Sequence, residues 1–289
     1  MTALRWQGLF FSAIALLVAL ASLPVGATVG SAMLLLLVGL IVVLGVPHGA
    51  FDPLFAQRLH ALAGLRDWSL FTLAYLLPAL LVLLLWQSAP GYFLGGFLLI
   101  SLAHFSGDPE AGSGVFFRVL YGGLIIVLPA CLHLDEVARL FGMLADPADA
   151  ATLAGWLHLA SWPWLVATFF VVLWTARQRW QAALEMLAVT VLAIAAPPLV
   201  AFTVFFCGMH GARHFLRSLA YAGPGAARSG LRYAVLPMVA VALLLAGALW
   251  IWRDVALEER LVRLIFIGLA ALTVPHMALI ERVRFGSGW

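Results

Sequence analysis

Imidazoles and carboxylates recur four residues apart in a chain that is otherwise largely hydrocarbon. His48 precedes Asp52 in Pro47-His48-Gly49-Ala50-Phe51-Asp52, His104 precedes Asp108, and His210 precedes His214. On a helix, residues i and i+4 share one face and their side chains are close enough to meet. His276 follows a proline, as His48 does, and Glu281 lies five residues beyond it. Neutral imidazoles suit iron, copper or zinc, and four of them on an octahedral iron leave room for dioxygen. Asp52 and Asp108 are natural partners for an imidazole N–H, fixing its tautomer, and Glu281 could serve His276 in the same way. His210-Gly-Ala-Arg-His214 lacks the glutamate of the zinc-protease HExxH motif. His60, His133 and His158 read as loop, interface and packing residues, and Cys207 as packing.

The elements that must hold these groups follow from composition. Of 289 residues, 64% are hydrophobic and 10% charged, against roughly 25% charged in soluble domains. Apolar runs of membrane-spanning length recur from end to end, which predicts an all-α polytopic membrane protein, one integral membrane domain over residues 1–289. Passes are expected at about 8–27, 30–51, 68–87, 91–106, 115–133, 151–175, 181–196, 198–217, 233–252 and 264–280. That makes a bundle of about eight to ten helices. Residues 181–217 as one helix would span about 54 Å, far beyond a bilayer core of about 30 Å. Pro197-Pro198 is the natural break. Residues 134–145 have helical spacing of apolar and charged positions, predicting a short interfacial helix ended by Asp146-Pro147.

Counting passes alternately from face A, at the N-terminus, to face B brings His48, His104, His210, His214 and His276 to one level near face A. Twelve arginines, Arg213 and Arg217 among them, fall on face A and four on face B. Face A is therefore expected to be cytoplasmic. The positive charge sets topology and does not signal nucleic acid. The first apolar run reads as a retained anchor. The chain has no lysine, which excludes a retinal Schiff base, and its two cysteines offer no disulfide framework.

Pro47-His48-Gly49-Ala50-Phe51-Asp52, His104, His210-x-x-x-His214 and Pro275-His276, in that order and spacing, resemble the Brp/Blh family of membrane β-carotene 15,15′-dioxygenases. The resemblance implies cleavage of β-carotene by O2 at its central double bond, giving two all-trans retinal molecules, often for a microbial rhodopsin. It implies non-haem Fe(II) on His48, His104, His210 and His214. His276 is then a candidate fifth ligand or neighbour of the site, as are Asp52, Asp108 and Glu281. The expected location is the bacterial inner membrane, with the metal site toward the cytoplasm. β-Carotene is about as long as the bilayer core is thick, so a tunnel is expected obliquely or in the membrane plane at the level of His48 and His104. Other classes compatible with the residues are a di-iron hydroxylase or desaturase, a haem-binding electron carrier, and a histidine-relay transporter.

Overall fold

In lipid, every backbone N–H and C=O must bond within its own segment, so apolar runs become helices. The computed structural model describes residues 3–23, 29–110, 112–223 and 226–287, without the side chains of 48, 222, 226–233 and 281–287. These residues form α1 (Ala3–Ser22), α2 (Ser31–His60), α3 (Leu65–Ser88), α4 (Pro90–Phe105) and α5 (Val115–Val127). A turn at Pro129–Leu132 leads to α6 (Leu134–Gly142), α7 (Pro147–Ala176), α8 (Trp180–Ala195), α9 (Pro198–Tyr221), α10 (Ala226–Ile251) and α11 (Leu257–Ser287). Among the described residues, seven helices are long and apolar enough to cross a membrane, while α4, α5 and α8 are shorter apolar helices. Each of the ten expected passes overlaps one of these ten helices.

The break at Pro197-Pro198 follows proline chemistry. Ala196 is extended, with φ −92° and ψ 152°, as expected for a residue before proline. Pro198 opens α9 at a position where its missing N–H costs nothing. Asp146-Pro147 does not merely stop α6: Asp146 is the extended residue just before α7, and Pro147 is the first residue of that helix.

Two passes are not regular α-helices throughout. In α2 the α-helix Ser31–Leu40 loosens to a π-helix over Ile41–Gly45, tightens to a 3₁₀-helix over Val46–Phe51, and resumes over Asp52–His60. Pro47 has no N–H to give the turn before it, and Pro53 repeats the loss six residues on. In α9 a π-helix occupies Phe205–Gly211 between two α segments. π-Turns inside α-helices are rare and concentrate at functional sites.

The core is layered along the helices. Phe11, Ile41, Tyr121, Leu124, Met186, Leu192, Phe205 and Met209 form its middle. Leu34, Leu94, Leu140, Leu199, Leu261 and Val262 pack toward the face-B end, and Phe51, Phe55, Leu279 and Ile280 toward face A. α1 lies against α8 and α11 against α3. Leu192 is fully buried. Lipid is as apolar as leucine, so such packing stabilises by contact more than by leaving water. Leu192→Ala should therefore cost about 2–3 kcal/mol, the low end for buried Leu→Ala changes, seen as a lower melting midpoint in detergent. An exposed control, Leu244→Ala on α10, should leave the midpoint almost unchanged.

Candidate functional site

The π and 3₁₀ segments bring two kinked helices together at their glycines. A Cβ on Gly45 would stand 2.4 Å from the Phe206 ring, and one on Gly211 would stand 3.6 Å from Gly45 Cα. Only hydrogen fits at this crossing. It carries the 3₁₀ turn holding the His48 backbone past the π segment holding His210. Cys207, expected as packing, donates its thiol to Leu40 O at 3.5 Å in the same crossing.

Above the crossing, four imidazoles from three helices form a closed ring. Centroids are 4.5 Å apart for His104–His210, 6.2 Å for His210–His214, 5.0 Å for His214–His276 and 5.5 Å for His276–His104. They come from the end of α4, from α9 and from α11, helices that all run toward face A. The side chains of His48 and Glu281 lie outside the described residues. The His48 turn nonetheless borders the ring: a Cβ on the next residue, Gly49, would stand 3.9 Å from His276 Nδ1. Phe105 and Phe206 wall His210, at 4.9 and 5.6 Å between centroids.

Carboxylates remote in sequence meet two of these rings. Asp108 was expected beside His104; its oxygens stand 2.9 and 3.1 Å from His210 Nδ1. The helix carrying His104 ends at Phe105, so Asp108 sits on the following loop and turns toward α9. Asp52 likewise meets His276 Nδ1 at 2.8 and 3.0 Å, the role expected of Glu281. Tyr75 on α3, which sequence reasoning missed, donates to Asp52 Oδ2 at 2.5 Å. Ser218 gives its hydroxyl proton to His214 O at 2.8 Å, so its oxygen is left to accept from His214 Nδ1, 3.2 Å away. The hydrogen-bond network thus assigns one tautomer to His210, His214 and His276, with the proton on Nδ1 and the lone pair on Nε2. All three Nε2 atoms are shielded from solvent.

Imidazoles held through one ring nitrogen could each offer the other to a metal. Among the described residues, no group of three or more His, Cys, Asp or Glu side chains has the geometry to hold an ion. The His48 ring is not among them. His158 packs with Nδ1 against Ala130 O at 2.8 Å, while His60 is exposed and His133 half-buried, away from the ring.

Arg213 was assigned to face A as a topology charge; it is 2% exposed and, among the described residues, is the largest fully buried side chain. It forms a two-pronged ion pair with Glu185 of α8, at 2.8 and 3.0 Å. The available signal was its place between two histidines, inside a pass and not in a loop.

An apolar cavity of about 80 Å³ opens nearby, lined by Leu94, Ser101, Ile125, Phe141, Phe202 and Phe266 among others. Ser101 is one turn from His104, whereas Leu94 is about 15 Å away along the helix. The cavity follows the helices toward face B; it does not run in-plane at the histidine level, the path expected of a tunnel.

Residues 39–283, which include every histidine of the site, match the family described as beta-carotene 15,15′-dioxygenase. The chain is 30% identical over 256 residues to the beta-carotene 15,15′-dioxygenase of an uncultured marine bacterium, 66A03, covering 84% of this chain and 90% of that one. It is 28% identical over 296 residues to the probable beta-carotene 15,15′-dioxygenase Blh of Halobacterium salinarum, covering 84% and 82%. No solved structure matches.

The glycine crossing makes a stability prediction. Gly45→Ala forces its methyl into Phe206, and overpacking of this kind costs about 1–3 kcal/mol. Gly247→Ala on α10, with nothing within 4 Å of the added carbon, should hold or slightly raise stability, since alanine is the better helix former. Thermal melts of the two variants side by side check the contrast.

Proposed function

Because the chain belongs to the beta-carotene 15,15′-dioxygenase family, we propose that it is a multi-pass membrane enzyme that splits β-carotene at the central 15,15′ double bond. The co-substrate is O2 and the products are two molecules of all-trans retinal. The observation that carries this reading is the ring of four imidazoles inside an apolar bundle, three of them held in one tautomer by hydrogen bonds at Nδ1. Ionisable groups at such depth are retained when paired and used. A transporter relay needs histidines that exchange protons; rings locked by carboxylates and a serine favour ligation.

Non-haem Fe(II), held by His48, His104, His210 and His214, would bind and activate dioxygen. His276 shares the tautomer of His210 and closes the ring, which supports it as a further ligand and not an outlying group. The protein's own residues then have three tasks. Asp108 and Asp52 hold the His210 and His276 rings in register. Phe105, Phe206 and the surrounding apolar side chains keep bulk water away. The fold must also present one double bond among many, and a near-attack placement is worth several kcal/mol. The apolar cavity beginning at Ser101 supports a hydrocarbon substrate drawn from the bilayer. The arginine-rich face is the cytoplasmic one in this reading, the membrane is the bacterial inner membrane, and retinal passes on to a microbial rhodopsin.

Expression in bacteria that accumulate β-carotene tests the proposal, with pigments resolved by chromatography. Carotene should fall and retinal appear with the wild type, and neither should change with His104→Ala or His210→Ala. Unchanged carotene in cells holding well-inserted wild-type protein would end the substrate assignment. In purified protein, an iron chelator should abolish retinal formation, Fe(II) should restore it and Zn(II) should not. Full activity after chelation would end the iron assignment.

A further inference from the structure

The loop between α4 and α5 bears Asp108, and its backbone is gripped by two arginines of α9. Arg217 donates to Gly107 O at 3.0 Å, Asp108 O at 2.8 Å and Pro109 O at 3.2 Å. Arg213 donates to Asp108 O at 3.2 Å. His210, Arg213 and Arg217 are spaced i, i+3, i+7, so the ring and both guanidinium groups address this loop from one helix face. The loop is also tied to the other side of the site, since Gly107 N–H donates to His104 O at 3.0 Å.

Arg213 is itself held on every side. Glu185 takes two of its N–H groups, and Gln7 accepts from its Nε at 3.0 Å. Gln7 in turn donates to Gly208 O, within the π segment, at 2.7 Å. α1 closes over the pair at Gly8, where a Cβ would stand 1.8 Å from Glu185 Oε1. A buried ion pair contributes little net stability, and apolar replacement of both partners is often neutral. Stability alone therefore gives little reason to bury this one in lipid.

We propose that Arg213, braced by Glu185, is a positioning residue: it fixes the loop that presents Asp108 to His210 and so sets the orientation of the imidazole ring. This rests on the dioxygenase reading for its consequence in catalysis, but not for its geometry. Two full-length variants test it. Arg213→Met combined with Glu185→Met removes both charges together. Arg213→Lys keeps a cation for Glu185 but replaces the planar fork by a single ammonium.

The first readout is the downfield proton resonance of His210 Nδ1–H against Asp108, in metal-free protein, assigned by its absence in His210→Ala. The second is retinal formation. In the double variant the resonance should be lost and kcat should fall at least about tenfold, with KM within about twofold. Arg213→Lys should lie between the double variant and the wild type on both. An unchanged resonance and kcat in an inserted double variant would overturn the proposal and leave the pair a structural contact. If the double variant does not insert, Arg213→Lys decides alone, wild-type behaviour on both readouts overturning it. A wild type that forms no retinal would sink the dioxygenase reading, while the resonance would still decide the positioning role.

Discussion

A carboxylate in hydrocarbon must find a partner, and in this chain that requirement ties the bundle together. Asp108 satisfies it on His210, 102 residues away, and Asp52 on His276, 224 residues away. Each bond joins segments remote in sequence, a loop to α9 in one case and α2 to α11 in the other, and each spends the Nδ1 proton of an imidazole that is thereby fixed. The pairing that makes the carboxylates tolerable also holds the rings, so stability and ring geometry are not separable here.

The kinked helices exist to deliver these groups. Neither His48 nor His210 sits on a regular α-helix; each is carried by a segment whose turn has been loosened or tightened. The two segments meet where Gly45 and Gly211 allow backbones to touch, and Phe206, stacked on His210 at 5.6 Å, fills the remaining space. Around this crossing the other helices are ordinary. α3 and, among its described side chains, the Ala234–Ile251 part of α10 bury almost nothing within the protein and present leucines outward.

Much of this was legible in the sequence. Ten apolar runs give ten helices, and Pro197-Pro198 separates two of them because proline chemistry is local. Pass parity alone brought His104, His210, His214 and His276 to one level, and their rings do adjoin. Spacing within a helix did not place Asp108. An i, i+4 pair is a statement about one regular helix, whereas Asp108 lies past the end of α4 and meets His210 of α9. Asp52 meets His276 of α11, and the His48 side chain four residues before it lies outside the described residues. Tyr75 and Glu185 carried no signal, since a tyrosine or glutamate inside a pass does not name its partner. Arg213 was read only as a topology charge; its place between two histidines, short of the pass end, was the sign that it is buried and paired.

The π-turn through Phe205–Gly211 has a consequence for how such a chain can vary. Relative to an α-helix, a π-turn accommodates one additional residue, and one residue is about 100° of helix rotation. Deleting one residue from this stretch would let the helix relax to α with its two halves still in register, and would re-aim the residues of the turn itself, His210 among them. Substitutions here are graded in effect, but changes of length are not. Descent should therefore preserve the residue count between Pro198 and His214 more strictly than the identity of the apolar residues within it.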